Sequence, residues 1–229
     1  MNPEQTRTAR LAGVLYLLMG LPGVFYLQYV PRTLIVRGDA SATAERMLSS
    51  EPLFRLGLAA ELMSNLIFIV TPLVLYQLFK GVDYRKAALM VIFVLVSIPI
   101  SLVIVVFETA AFNMLTGPDY LSVFAQGQRE ALALLLVGLH GRGLDIAEIF
   151  WGLWLVPLGL LVYESRFAPR AIGVLLIAAG IAYVMTAFTA VLVPQYSSTV
   201  ALVAVVPEGL GEVSFLVWLF VAGRRSSRT

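Results

Sequence analysis

Long apolar runs separated by short polar ones dominate the chain. Crossing a ~30 Å hydrocarbon layer takes about 20 residues of α-helix at 1.5 Å each. Six runs approach or exceed that length, at 11–30, 56–79, 87–110, 144–163, 171–193 and 200–222. Their predicted architecture is an all-α integral membrane protein, a six-transmembrane-helix bundle forming one domain over 1–229. The first run follows Arg7 and Arg10 like a secretory signal, but it lacks an A-x-A-type cleavage site and runs into Pro31 and Arg32. It reads as a retained helix. No internal repeat suggests an inverted-repeat transporter.

The longest polar-to-apolar transition is 111–143. A Gly-Pro-Asp turn signal at 117–119 is followed by an apolar pattern that resumes at Ala131 and continues to Tyr163. One helix over that range would measure roughly 50 Å, more than a bilayer needs. The expectation is therefore an extension or a break within Gly138–Gly143, GLHGRG. In the first long loop, 31–52, the stretch DASATAERMLSS reads as a short helix capped by Asp39 or Ser41. Ala40, Ala44, Met47 and Leu48 share one of its faces, so it would lie as a short amphipathic helix on the outer membrane surface. A plain polar loop is the competing reading.

Charge then orients the helices. Arg7 and Arg10, the loops with Lys80, Arg85, Lys86 and with Arg166, Arg170, and the tail with Arg224, Arg225, Arg228 hold ten of the sixteen basic residues, opposed by Glu4, Asp83 and Glu164. The remainder of the chain has six basic residues against eleven acidic. Basic loops favour the cytoplasm, which puts both termini inside. Composition agrees with the membrane assignment, at 59% hydrophobic and 13% charged, against roughly 25% charged residues in soluble domains. The chain has no cysteine, which removes disulfides, thiolate nucleophiles and iron–sulfur clusters. No nucleotide or haem fingerprint is present. The lysines, Lys80 and Lys86, lie in a loop, which disfavours a retinal Schiff base. A net charge of +2 gives no nucleic-acid signal, so the lipid bilayer is the expected partner. Ligand, metal content and oligomeric state are unspecified.

Ionisable residues within the apolar runs are the candidate chemistry. With both termini inside, Glu61, Glu108, His140, Glu148 and Glu212 all fall in the outer half of the membrane. Asn65, Asp145 and Glu208 accompany them, and Arg55 and Arg142 are candidate counter-charges near the mouth. An ionised side chain at the bilayer centre costs about 2.5–3.5 kcal/mol on insertion scales, so intramembrane acids turn inward, pair or protonate. Convergence of the five on one acidic cavity is the sharp hypothesis. Its plain rivals are a helix-capping role for His140, an interfacial anchor or Glu51 pairing for Arg55, and a water-boundary position for Glu108. One histidine with carboxylates is thin support for zinc. Trp151 and Trp154 read as packing, and Gly173 and Gly180 as sites of close helix approach. The runs 56–79 and 144–163 are expected to be inner helices, with 11–30 and 171–193 more exposed to lipid.

Several segments carry a resemblance. The run HGRGLDIAEIFWGLWLVPLGLLVYESRFAPRAIGVLLIAAGIAYV, with RLAGVLYLLMG, DASATAERMLSSEPLFRLGLAAEL and PEGLGEVSFLVWLFVAG, resembles the DUF4386 family over nearly the whole chain. Its most specific part is Phe150-Trp151-Gly152-Leu153-Trp154 followed by Pro157 and Gly159. The resemblance implies a multi-pass protein of the bacterial plasma (inner) membrane and lends no reaction and no catalytic residue. Three function classes stay open. They are binding or transport of a cation, proton or amphiphile, a structural protein with an internal ion-pair network, and an intramembrane hydrolase-like enzyme. The last lacks a defined nucleophile or metal.

Overall fold

In the computed structural model, residues 1–224 are described. Arg225 and Arg228 of the basic tail lie outside them. The described residues are helical, without a strand. We name the helices α1 (Pro3–Leu34), α2 (Ala40–Ser49), α3 (Glu51–Phe79), α4 (Tyr84–Thr116), α5 (Gln126–Glu164), α6 (Arg170–Leu192) and α7 (Ser197–Arg224). Six of them, all but α2, are long and apolar enough to cross a membrane. Their exposed side chains argue the same way. On α6, Val174, Ile181, Met185, Phe188, Val191 and Leu192 are all exposed, a continuous apolar stripe that water would penalise and lipid would not.

The helix ends follow local chemistry. Asp39 caps α2 by accepting from the Ala42 amide at 2.9 Å, and Met47 and Ala44 on that helix are buried while Leu48 is exposed. Helix α4 stops at Gly117, whose φ of +66° is readily reached only without a side chain, and Pro118 prevents continuation. At its start, Asp83 accepts from the amides of Arg85 and Lys86. The Lys86 ammonium also holds Asp83 and Glu164 at 3.0 and 2.7 Å. The Lys86 hydrogen bonds keep the Asp83 carboxyl below its ordinary value of 3.8.

Of the two alternatives at GLHGRG, extension and break, helix α5 takes the extension: it is continuous for 39 residues, or about 58 Å at 1.5 Å per residue. Helices of membrane proteins tolerate glycine because neighbouring helices hold the backbone in place. Helix α1 carries one π-helical turn, Phe25–Tyr29, where the Val30 amide reaches back five residues to Phe25 O. Pro31 follows and has no amide to continue an ordinary ladder. Burial follows the expected order: 39% and 50% of the apolar windows of α3 and α5 are buried, against 28% and 33% for α1 and α6. Helix α7, at 17%, is more open to its surroundings than either.

The contact pattern divides the chain into two compact units. The first comprises Met1–Leu18, Leu66–Pro99 and the chain from Asp145 onward, and the second Met19–Asn65 and Ile100–Leu144. In the first, α5 and α6 meet through glycines. A side chain on Gly180 would place its first carbon 2.6 Å from Gly152 O, and one on Gly173 the same distance from Gly159 O. Van der Waals packing of this kind replaces the hydrophobic drive that lipid does not supply. Trp154 packs there against Tyr16 and Phe68. In the second unit a core forms from Val30, Leu34, Met47, Phe54, Ala111, Phe112, Ala133 and Val137. Phe54 and Phe112 stack within it at 4.9 Å.

Candidate functional site

The second unit gathers three of the expected site residues from three helices. Glu61 lies ten residues into α3, near its second-unit end, and is 1% exposed. The Ser64 hydroxyl, one turn along, donates to Met19 O at 2.9 Å and ties α3 to α1. Helices α4 and α5 approach at Gly143, where any β-carbon would collide with the Ile104 side chain. His140 and Glu108 lie three and four residues from that contact, on the same faces of their helices.

The imidazole of His140 consequently sits between two carboxylates. Its Nε2 is 3.1 and 3.2 Å from the two oxygens of Glu61. Its Nδ1 is 3.3 Å from Glu108 Oε1. Side-chain exposure is 7% for His140, 1% for Glu61 and 17% for Glu108. One potential ligand atom from each of the three lies within 4.8 Å of the others. Tyr26 is buried in the π-helical turn of the same unit. A cavity of about 10 Å³, room for roughly one water, borders Glu108 among Val30, Leu34, Met47 and Phe54.

Proton counting makes this arrangement informative. A neutral imidazole has one N–H and one lone pair. With an ionised carboxylate at each nitrogen, one contact sets acceptor against acceptor. One more positive charge is needed, as a second ring proton, a protonated carboxyl or a bound cation. Arginine does not provide it. Arg55 pairs with Glu51 at 2.6 Å and lies over the Phe112 ring, with its side chain 65% exposed. Arg142 is exposed. The buried Asn65 amide donates to Glu61 O of the backbone, leaving the carboxylate to His140.

Glu148 and Glu212, the other two acids expected at the site, belong to the first unit. There the Glu212 carboxylate accepts from the phenols of Tyr16 and Tyr183 at 2.8 and 2.6 Å. Glu148 and Glu208 lie in the same unit, and one oxygen of Glu208 is shut off from solvent without a hydrogen-bond partner among the described residues. The phenols of Tyr16, Tyr26, Tyr29 and Tyr183 are the ionisable side chains of 11–30 and 171–193, but nothing in the sequence pairs Tyr16 and Tyr183 with Glu212, although a buried tyrosine hydroxyl usually finds a polar neighbour.

Comparison with known proteins fixes the family. Residues 11–223 match the family described as "Domain of unknown function (DUF4386)". The chain belongs to the DUF4386 family. An uncharacterised protein of Archaeoglobus fulgidus is 32% identical over 84 residues, which are 37% of this chain and 48% of that protein. The chain thus spans about half the length of that curated relative. No solved structure matches the chain. DUF4386 membership and the six apolar helices together make this a multi-pass membrane protein.

Proposed function

We propose that this DUF4386 protein binds a cation or a proton at Glu61, His140 and Glu108, as the binding step of a transport or ligand-binding function in the membrane. The observation that carries the reading is the imidazole held between one buried and one largely buried carboxylate, with no arginine paired to either among the described residues. Replacing buried ion pairs with apolar residues is often neutral or stabilising by about 1–4 kcal/mol. A purely structural role therefore makes poor use of two acids and a base at this depth.

The finer topology is part of the proposal. Both termini are cytoplasmic, the membrane is the bacterial plasma membrane, and α2 lies on its outer surface. The ten-to-six division of basic residues supports this. Labelling of single cysteines at Ser41 and Ser226 tests it: opposite sides are expected, and the same side for both overturns it.

Thermal unfolding of the purified protein tests the binding claim. A cation at about 100 times its Kd adds about 2.7 kcal/mol of stability. Sodium, potassium, divalent cations and pH 5–8 are each varied. The parent should respond to at least one, and Glu61→Gln and Glu108→Gln should lose that response. A parent that responds to none refutes the binding reading and leaves the ion-pair network as structural.

A further inference from the structure

We infer that the centre takes one divalent transition-metal ion, with His140 Nε2 and Glu61 as direct ligands and Glu108 as the carboxylate that orients the ring. This rests on the cation-binding reading above and specifies its ligand class. Three observations support it.

The first is spacing. With metal–nitrogen and metal–oxygen bonds near 2.0–2.1 Å, a nitrogen and an oxygen 3.1–3.2 Å apart subtend about 100° at the metal, between octahedral and tetrahedral values. The second is the placement of both Glu61 oxygens at nearly equal distance from Nε2, which presents either one or both to a shared ion. The third is the contact on the far side of the ring. Glu108 Oε1 lies 3.3 Å from Nδ1, near enough for its charge to favour a proton on that nitrogen and leave the Nε2 lone pair facing Glu61. Carboxylate–histidine–metal arrangements have this form, and the outer carboxylate raises the basicity of the ligating nitrogen. In this arrangement the metal supplies the charge that the proton count lacks.

Donor type narrows the ion. An imidazole with carboxylates suits zinc, iron, cobalt or manganese, whereas calcium and magnesium favour all-oxygen sites. A soft copper(I) site would draw on sulfur donors, and His140, Glu61 and Glu108 offer none. Direct protein ligands number two, so solvent or a substrate group completes the coordination.

Cobalt(II) is the probe, added to tag-free protein stripped with chelator. The parent should bind one cobalt per chain with a visible d–d spectrum, and zinc should displace it. Glu61→Gln and His140→Gln should lose saturable binding. Glu108→Gln should weaken it by about 10–100-fold, the usual effect of losing an orienting partner. Glu212→Gln, a buried acid of the other unit, should leave it unchanged. Absence of stoichiometric binding by the parent overturns the inference whatever the variants do. Equal binding by the parent and His140→Gln also overturns it, because the cobalt then sits elsewhere. If the parent responds to protons or a monovalent cation in thermal unfolding but binds no cobalt, the metal inference falls and the cation reading stands. If it responds to nothing, both fall.

Discussion

Replacing Gly143 with alanine probes how the centre is assembled. A β-carbon at this position runs into the Ile104 side chain, meeting its Cγ2 first and its Cβ at 3.1 Å. Ile104 is 5% exposed, and a β-branched side chain in a helix has one strongly preferred rotamer, so it cannot swing aside. Overpacking of this kind costs about 1–3 kcal/mol. Alanine returns up to about 1 kcal/mol of helix propensity. The net expectation is a loss of about 0–2 kcal/mol. A matched control removes the propensity contribution: Gly138 lies on the same helix with open space around its Cα, so Gly138→Ala should gain what Gly143→Ala gains and suffer no clash. The two variants should differ by about 1–3 kcal/mol, the clash alone. Reversible denaturant titration in mixed micelles measures it. In an Ile104→Ala background, Gly143→Ala should no longer carry the clash and should match Gly138→Ala, the coupling expected for residues in contact. Equal stability of the two glycine variants within about 0.5 kcal/mol would refute the close α4–α5 approach. The register of His140 against Glu108 would then lose its basis.

Two further perturbations address the surroundings. Tyr183→Phe removes the 2.6 Å hydrogen bond to Glu212 and should cost about 0.5–3 kcal/mol, the range that spans hydrogen bonds to neutral and charged groups; a change too small to measure in the same titration would mean that the phenol does not hold the carboxyl group. Asp83→Asn keeps a helix-capping side chain but discards the charge paired with Lys86. Because the Asp83 carboxyl lies below 3.8 in the folded protein, its contribution is present above that value and is lost as pH falls through the folded pKa. The parent should therefore exceed the variant in stability at pH 7 and converge with it in strong acid, and a pH-independent difference would contradict the pairing.

The fold was legible where one physical constraint dominated. Lipid demands long apolar helices, and each of the six runs has one. The centre was legible in part for a related reason: acids and a histidine inside apolar runs have few tolerable surroundings, so Glu61, Glu108 and His140 stood out by type and depth. Facing was not legible. Nothing in the local sequence separates Glu61, which meets His140, from Glu212, which meets two phenols, because the partners come from other helices. Extension or break of α5 stayed open at GLHGRG because glycine weakens a helix in water but allows close packing in a membrane, as Gly143 does against Ile104. The π-helical turn that places Tyr26 depends on a backbone register that side-chain periodicity does not encode. Arg55 was drawn toward the centre by the need for a counter-charge, and the acid four residues before it, Glu51, meets that need locally.

The chain contains one histidine, so isotope-labelled histidine reports on this centre alone. The most direct measurement is nitrogen NMR of the labelled imidazole in the parent, in Glu61→Gln and in Glu108→Gln. A ring contacted on both sides predicts that Glu61→Gln shifts chiefly the Nε2 resonance and Glu108→Gln chiefly Nδ1, with bound cation moving the parent spectrum and leaving that of Glu61→Gln in place. An imidazole spectrum like that of free histidine, unchanged by either substitution and by added cation, would contradict the account.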